Sequence, residues 1–161
     1  MTIMYTRLTT SALGVLTLTA TEAGLAGIYL EAHRHAPTDR SAWIRDPAPL
    51  ESAVAQLTEY LAGRRRAFDL PLAPPAGTPF QCRVWAALEV IAYGTTTTYG
   101  ALAAALGVPR AVRAVGAANG RNPLSIVRPC HRVVGVDGAL TGYGGGLEAK
   151  RALLALEARR R

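Results

Sequence analysis

Cysteine is scarce in this chain, which has only Cys82 and Cys130 among its 161 residues. Two cysteines form at most one disulfide, and a chain of this length can build a stable core without it. We therefore expect two reduced thiols and a cytoplasmic protein, since thiols stay reduced in that compartment. The cysteines and histidines also lack the close paired spacing of zinc ligands, so we predict no metal site.

Long apolar runs are missing as well. Half of the residues are hydrophobic, but polar residues interrupt every stretch before it reaches the length of a membrane span, so we expect no membrane association. One segment is ambiguous: Arg7 followed by the apolar residues 8–20 has the form of a signal peptide. The same residues alternate between Leu16 or Leu18 and Thr17 or Thr19, which favours a strand. A strand is the interpretation adopted here, with a cleaved signal as the alternative.

Acidic residues are few in the second half of the chain. Residues 1–75 hold seven arginines and seven acidic residues, whereas residues 76–161 hold ten arginines and one lysine against four acidic residues. The whole net charge of +7 therefore belongs to the C-terminal half. Such an excess is typical of a protein that binds a polyanion such as nucleic acid. A general bias of the composition toward arginine is the alternative.

The N-terminal half has the pattern of a small mixed domain. Residues 15–20 and 25–30 are rich in strand-forming residues and predict a hairpin. Apolar residues from 50 to 61 recur at helical spacing, and alternation over residues 68–72 predicts a short strand. The proline- and glycine-rich residues 73–77 read as a linker, at the point where the charge balance changes. We therefore predict domains at 1–75 and 76–161.

The C-terminal half predicts helices. Thr78 and Gln81 have the spacing of a capping box at the start of one helix. Residues 99–106 and 110–119 predict two further helices around a turn at 107–109, which is a helix-turn-helix pattern. Small residues such as Ala114 and Gly116 would let the second helix approach DNA closely, and Arg110 and Arg113 would reach its phosphates or bases. Tight packing against another helix is the alternative explanation for the small residues.

Cys130 stands next to His131. A cysteine is nucleophilic as the thiolate, and the neighbouring imidazole could accept its proton, with a water between them because adjacent side chains rarely bond directly. Arg128 and Arg132 would favour the anion. A structural cysteine beside an exposed histidine gives the same sequence, so this pair alone does not establish a reactive site.

Several short motifs occur together with this pair. They are Pro-Cys-His-Arg-Val at 129–133, Asn122-Pro123, Gly142-Tyr143, Gly145-Gly146-Leu147, Glu157, Phe80-Gln81, Val84-Trp85, Tyr93-Gly94, Tyr99, and Arg113-Ala114-Val115-Gly116. In this combination the chain resembles the O6-alkylguanine-DNA alkyltransferase family over residues 78–157. The N-terminal half fits that family by pattern only.

The resemblance implies an α+β fold, with a small N-terminal α/β domain of the ribonuclease H-like type and a mainly helical C-terminal domain containing a helix-turn-helix. It implies direct reversal of DNA damage, in which an alkyl group moves irreversibly from O6-alkylguanine to a cysteine, once per molecule and after base flipping. O4-alkylthymine is a possible second substrate. No cofactor is implied, and the partner is double-stranded DNA containing alkylated guanine. We expect a monomer and leave open whether it clusters cooperatively on DNA.

The resemblance also assigns roles by position. Cys130 would accept the alkyl group, His131 would be its water-mediated base, and Glu157 would orient His131. Asn122 would brace the turn beneath them, and Tyr99 would assist departure of the guanine. Arg113 would enter the base stack in place of the flipped nucleotide. The remaining expected residues are Arg110, Ala114, Gly116 and Arg121 at the DNA, and Val133, Tyr143, Gly144 and Gly145 around the base pocket.

Departures from the family pattern are few. Ala92 replaces a usual proline, and Gly144 replaces a serine found in some relatives, which we expect to widen the pocket. Two other classes of protein are considered. A lesion-binding relative without activity would lack the cysteine, whereas Cys130 is present. A helix-turn-helix regulator would need base readers such as Asn or Gln, and none lies between Arg110 and Ala118.

Overall fold

The computed structural model describes residues 1–159, so Arg160 and Arg161, the last two positions of the predicted C-terminal domain, lie outside the described residues. The N-terminal half begins with a four-stranded sheet of order β3-β2-β1-β4. Neighbours among β1, β2 and β3 are antiparallel, and β4 runs parallel to β1. The strands are β1 (Ile3–Thr10), β2 (Gly14–Thr21), β3 (Gly24–Leu30) and β4 (Trp43–Arg45).

The predicted hairpin is confirmed as β2 and β3. Leu16 and Leu18 are fully buried on the face toward the core, as the alternation of the sequence requires. β1 was not predicted, because its residues were obscured by their likeness to a signal peptide. The stretch with that likeness forms most of β1 and β2, the two central strands, so its removal would eliminate the middle of the sheet.

Helix α1 (Glu51–Leu61) confirms the predicted helix after the sheet and buries Ala53, Leu57 and Tyr60 against it. The predicted strand at 68–72 is wrong. Only Leu72 forms an isolated bridge, to Leu25. Pro71 has no backbone N–H to donate to a ladder, and its carbonyl accepts a single bond from the Leu25 amide at 2.9 Å.

The C-terminal half contains four helices within the described residues. Thr78 and Gln81 form the predicted capping box at the start of the first of them, and the Thr98 side chain accepts from the Ala101 amide at the start of the second. A two-stranded parallel ladder joins this second helix to the segment after Cys130. The elements are α2 (Pro79–Leu88), β5 (Thr97–Thr98), α3 (Tyr99–Ala105), α4 (Val112–Gly120), β6 (Val133–Val134) and α5 (Leu147–Ala158).

Helices α3 and α4 form the predicted pair, but the turn between them is longer than predicted. Gly107 has a φ of +76°, and the Ala111 amide closes a turn on the Val108 carbonyl at 2.8 Å. Helix α4 therefore begins at Val112. Arg110 lies exposed in the turn rather than on the second helix, which corrects its predicted position.

One hydrophobic core extends through both halves of the chain. The Ile28 amide donates to the Pro123 carbonyl at 2.8 Å, and Ile28 also forms a bridge with Leu124. The N-terminal sheet is therefore in direct contact with the segment that leads to Cys130. The architecture is α+β, a small sheet domain followed by a helical part, as expected. None of the helices within residues 1–159 is long and apolar enough to cross a membrane.

Candidate active site

Cys130 begins a short 3-10 turn that spans Cys130–Arg132. Asn122 holds the preceding loop: its Oδ1 accepts from the Leu124 amide at 3.1 Å, and its Nδ2 donates to the Arg128 carbonyl at 2.9 Å. Asn119 on α4 donates to the carbonyl of Cys130 at 3.3 Å. Two buried amide side chains, Asn119 and Asn122, thus hold the backbone before the thiol and at Cys130 itself.

The same loop contains a strained residue. Ile126 has a φ of +76° and is almost completely buried. A β-branched residue rarely adopts this left-handed conformation, which costs on the order of 1–3 kcal/mol. The strain is maintained because the core around Ile126 and the hydrogen bonds of Asn122 leave the loop no alternative path. Sequence patterns gave no sign of it.

Glu157 of α5 is the centre of a buried polar network. Its Oε2 lies 2.8 Å from His131 Nε2 and accepts from the Tyr60 hydroxyl at 2.5 Å. Arg132 donates to both carboxylate oxygens, from Nε at 2.8 Å and from Nη2 at 2.9 Å. Burial alone would raise the pKa of Glu157, but the bonds from His131, Arg132 and Tyr60 outweigh it and hold the pKa well below its ordinary value.

His131 is neutral in this environment. Burial lowers its pKa, and the neighbouring Glu157 carboxylate offsets that effect only in part. Because the ionised carboxylate can only accept, Nε2 carries the proton, which leaves Nδ1 as the basic nitrogen. Nδ1 is buried and has no hydrogen-bond partner among the described residues. The ring therefore has a free basic atom, held in one tautomer by Glu157.

The thiol of Cys130 is protonated at rest. Burial raises its pKa, and the side chain of Asn122 and the charge of Lys150 counteract this only in part. The two arginines expected to favour the thiolate are engaged elsewhere: Arg128 pairs with Glu89 at 3.1 Å, and Arg132 pairs with Glu157. The charge that favours the thiolate therefore comes from Lys150 and not from the two arginines. Because its pKa is still raised, the thiol needs a base in order to react.

Lys150 was missed by the sequence analysis. It is fully buried on α5, and its Nζ donates to the carbonyl oxygens of Val133 at 2.6 Å, Gly142 at 3.1 Å and Thr141 at 3.2 Å. Burial lowers its pKa to about 8. One signal was present: Lys150 shares a helical stripe with Leu153 and Glu157, at spacings of three and seven residues.

A cavity of about 370 Å³, within the range of small-molecule sites, lies next to the Cys130 turn, because Asn119 lines the cavity and donates to the Cys130 carbonyl. Tyr99 forms part of its wall, and its hydroxyl donates to the Thr141 carbonyl at 2.8 Å. Burial chiefly raises the pKa of both Tyr99 and Tyr143, and a negative charge on Cys130 would raise both further. The wall is formed by Arg34, His35, Tyr99, Val112, Gly116, Ala117, Asn119, Gly120, Thr141, Gly142, Tyr143 and Gly144.

Two of the four predicted pocket residues, Tyr143 and Gly144, line this cavity directly. Val133 is completely buried behind it, where its carbonyl accepts from Lys150. Gly145 faces the N-terminal half, since a Cβ there would lie 2.7 Å from a methyl carbon of Leu30. Val133 and Gly145 thus support the wall from behind instead of forming its surface.

Gly144 does not widen the pocket as expected. A Cβ at this position would lie 2.5 Å from His33 Nε2 and 3.0 Å from the Gly120 carbonyl oxygen, so the space is filled by the protein itself. The Arg34 amide also donates to the Gly144 carbonyl at 3.0 Å. The glycine allows the N-terminal half to approach the cavity wall closely. No local sequence pattern predicted this contact.

The residues expected at DNA lie on one side of α4. Arg113 and Ala114 are exposed, and Gly116 is half-buried against the ring of Tyr99, 3.7 Å from a Cβ placed on it. Arg121 is exposed just after the helix, and Arg110 precedes it in the turn. Because Gly116 and Ala117 also line the cavity, the accessible face of α4 leads directly into it.

Two family models match this chain. Residues 79–159 match the DNA binding domain of 6-O-methylguanine DNA methyltransferase, and residues 4–74 match the ribonuclease-like domain of the same protein. The second model agrees with the predicted kind of N-terminal domain.

Relatives match along most of the chain. A methylated-DNA–protein-cysteine methyltransferase of Mycolicibacterium paratuberculosis is 48% identical over 149 residues, covering 92% of this chain and 89% of the relative. One of Methanosarcina barkeri is 46% identical over 157 residues, covering 96% of this chain and 97% of the relative. The crystal structure of Mycobacterium tuberculosis OGT in complex with DNA superposes with a TM-score of 0.89 at 46% identity, covering 98% of this chain and 94% of that one.

Proposed function

The chain belongs to the 6-O-methylguanine DNA methyltransferase family, and we propose that Cys130 is the residue that accepts the alkyl group. The chain is a DNA-repair methyltransferase that acts by direct reversal, as are the relatives that it matches over nearly their whole length. The observation that supports Cys130 is its buried position immediately before His131, a neutral histidine with a free Nδ1, on a turn whose carbonyl is bonded to the cavity-lining Asn119.

The reaction is a displacement at carbon. His131 Nδ1 takes the thiol proton, through a bridging water, as Glu157 stabilises the imidazolium that forms. The sulfur attacks the alkyl carbon, a C–S bond forms, the C–O6 bond breaks, and its electron pair stays on the guanine. The Tyr99 hydroxyl turns from the Thr141 carbonyl to donate a hydrogen bond to the departing guanine. The proton that His131 took from the thiol passes through water to this guanine, which leaves as a neutral base. The thioether has no route back, so each molecule acts once, and no cofactor takes part.

We propose that α3 and α4 act as the helix-turn-helix that places this site on DNA. The target oxygen lies inside the base stack, so the nucleotide must be flipped into the cavity before attack. The exposed face of α4 is made of small residues and adjoins the cavity, which suits close approach to a groove. Arg113 fills the gap in the stack, with Arg110, Ala114 and Arg121 along the backbone. O4-alkylthymine is a second candidate substrate.

Three further properties are part of the proposal. A thiol nucleophile requires a reducing compartment, which supports a cytoplasmic protein. The two family models, which end at residue 74 and begin at residue 79, support a domain boundary within residues 73–77. Full-length similarity to methyltransferases, together with the presence of Cys130, disfavours both a lesion-binding protein without activity and a transcriptional regulator.

Intact-mass spectrometry tests the proposal. Incubated with excess duplex containing O6-methylguanine, the protein should gain one methyl group, and repaired lesions should plateau at one per molecule. Peptide mapping should place the group on Cys130. Cys82→Ser should react normally and Cys130→Ser not at all, because the Cys82 thiol lies at the start of α2, near the carbonyls of Pro75 and Gly77, and does not line the cavity. Repeated turnover, or methylation of Cys82, contradicts the assignment.

A further inference from the structure

The N-terminal half contributes one edge of the cavity. Arg34 and His35 line it together with Gly116 and Gly120 of α4. Both side chains are exposed, so they stand at the mouth of the cavity and not in its interior. None of the motifs that identify the family lies in this segment. Its position at the entrance therefore calls for a separate explanation.

The segment is held rigidly in place. The Arg34 amide donates to the Gly144 carbonyl at 3.0 Å, and the His35 amide donates to His33 Nδ1 at 3.1 Å. His33 itself is buried between the Tyr29 ring, at a centroid distance of 5.5 Å, and Gly144. These contacts fix the backbone of residues 33–35 against the cavity wall. The exposed side chains of Arg34 and His35 therefore extend from a backbone segment whose position is fixed.

The entrance carries positive charge without a counterion. Arg34 lines the cavity, and Arg121 directly follows the cavity-lining Gly120. After the effect of burial, the charges of Arg121 and Arg34 lower the pKa of His35. Neither arginine has an ion-pair partner within residues 1–159. Neighbouring cations repel one another, and a bound anion relieves this repulsion. The entrance is therefore suited to a ligand with negative charge.

A flipped nucleotide brings such an anion to this place. Its base enters the cavity, while the sugar and the two phosphodiesters attached to it remain at the entrance. On the exposed face of α4, the only cation is Arg113, which is proposed to enter the base stack. Arg34 at the cavity edge and Arg121, which follows the cavity-lining Gly120, are then the cations placed to neutralise the backbone of the displaced nucleotide.

We propose that Arg34 and His35, together with Arg121, form a phosphate-binding edge that holds the backbone of the flipped nucleotide. Arg34 and Arg121 supply the charge, and His35 supplies a neutral N–H donor. The N-terminal half thereby takes part in recognition of the extrahelical nucleotide. This inference rests on the proposed function, since it requires a lesion base in the cavity.

The experiment compares two substrates that differ in phosphate: a duplex with O6-methylguanine and the free base O6-methylguanine. For Arg34→Gln with Arg121→Gln, we expect the second-order rate constant of alkyl transfer from the duplex to fall at least fivefold more than that from the free base. The slope of log affinity for the lesion duplex against log salt should become shallower by about 0.9 for each arginine removed. When position 34 carries lysine instead of glutamine (Arg34→Lys with Arg121→Gln), most of the loss in the duplex rate constant that is due to position 34 should be recovered, because the positive charge is kept.

Arg7→Gln with Arg45→Gln is the matched control, because both arginines are exposed on the N-terminal sheet and their removal takes away the same two charges at residues that do not line the cavity. It should leave the ratio of the two rate constants at the wild-type value. An equal loss on duplex and free base in the double variant of Arg34 and Arg121 would show that these residues only support the wall, and an unchanged salt slope would show no phosphate contact. Either result overturns the proposal. Failure of the wild type to gain a methyl group would refute the proposed function itself.

Discussion

At the scale of single residues, the charge of Glu157 is the feature on which thiol activation depends. Glu157→Gln keeps the shape of the side chain but cannot stabilise an imidazolium on His131. We expect alkyl transfer at pH 7 to fall by about 100-fold, the usual range for loss of general base catalysis. Raising the pH should recover part of the rate, because more of the Cys130 thiol then ionises without the base. Binding to lesion DNA should remain close to normal.

Stability must be separated from activity in this test. Removing one partner of a buried ion pair costs roughly 3–5 kcal/mol, so Glu157→Gln should be assayed at a temperature where circular dichroism shows it folded. Glu148→Gln is the control, since Glu148 is exposed in the first turn of the same helix. Rates equal to wild type at every pH would assign Glu157 a purely structural role.

Tyr60 offers a second test at this scale. Its hydroxyl donates to the Glu157 oxygen that also contacts His131, and it comes from α1 in the N-terminal half. The bond draws charge from the carboxylate, so Tyr60→Phe should raise the pKa of His131. Because His131 must be neutral to accept the thiol proton, the acid limb of the pH–rate profile of alkyl transfer should move to higher pH. The free energy of unfolding should fall by about 1.5–3 kcal/mol, the contribution of a hydrogen bond to a charged group.

Tyr93→Phe provides the matched control. The Tyr93 hydroxyl is buried without a hydrogen-bond partner among the described residues, and the ring centroids of Tyr60 and Tyr93 lie 6.1 Å apart. Its removal should be nearly neutral for stability and should not move the pH–rate profile. A Tyr60→Phe variant that is less stable but has an unshifted profile would make Tyr60 a structural residue only.

At the scale of elements, α4 and the turn before it should have separable roles. Arg113 stands on the helix and Arg110 in the turn. Arg113→Ala should slow repair about tenfold or more and change undamaged-duplex affinity little. Arg110→Ala should weaken binding to every duplex alike and reduce the salt slope by about one. Affinity by fluorescence anisotropy at several salt concentrations, with single-turnover repair, measures both. A uniform affinity loss alone for Arg113→Ala would make it a backbone contact.

The contact between His33 and the glycine loop can be tested by paired substitutions. Gly144→Ala places a Cβ within 2.5 Å of His33 Nε2, and overpacking of this kind costs about 1–3 kcal/mol. His33→Ala makes room, so the double variant should recover at least half of the lost stability and repair rate. Gly100→Ala on α3 meets no atom nearer than 4.0 Å and should be neutral or stabilising. Equal losses in the single and double variants would contradict the clash.

Elements with local signals were predictable from sequence. The β2–β3 hairpin, α1, and the caps at Thr78 and Thr98 follow from periodicity and short-range hydrogen bonding, and the structure has them. The strand at 68–72 failed because alternation cannot reveal whether a partner strand is available. The start of α4 was misplaced because the length of a turn depends on packing against its neighbours.

The chemistry was predictable where a compact motif carried it, as at Cys130 and His131. The residues that act across the fold were not. Tyr60 lies 97 positions from Glu157, and Lys150 lies 17 positions from Val133, whose carbonyl it binds. Contacts of this kind arise only when segments distant in sequence pack together, and the local sequence around Tyr60 or Lys150 does not indicate either role. The same applies to Arg34 and Gly144.

At the scale of the whole molecule, the two halves share one core and one active site. Glu157 from the last helix binds Tyr60 from the N-terminal half, and Gly144 receives the Arg34 amide. Movement of one half relative to the other would therefore disturb both thiol activation and the cavity wall. A disturbance confined to the contact between the halves should be visible as loss of stability of the whole chain.

Protonation of His33 should produce such a disturbance. Burial, followed by the charges of His35 and Arg34, lowers the pKa of His33 from 6.5 to about 4. Its Nδ1 accepts from the His35 amide, so protonation there would break that bond. Between pH 6.5 and 4 the unfolded chain binds this proton and the folded chain does not. The free energy of unfolding should therefore decrease as the pH falls through this window, by about 1.4 kcal/mol per pH unit for this group.

His33→Asn should remove this contribution, because Asn keeps a hydrogen-bond acceptor and does not titrate. Urea unfolding at pH 7, 6, 5 and 4.5, followed by tryptophan fluorescence, should show a pH dependence about one proton shallower than in the wild type. Buried neutral His131 adds a slope of the same sign, so some dependence should remain in His33→Asn. His35→Asn, at an exposed position, should reduce the slope less. If the free energy of unfolding depends on pH identically in His33→Asn and in the wild type, protonation of His33 does not weaken the contact between the two halves.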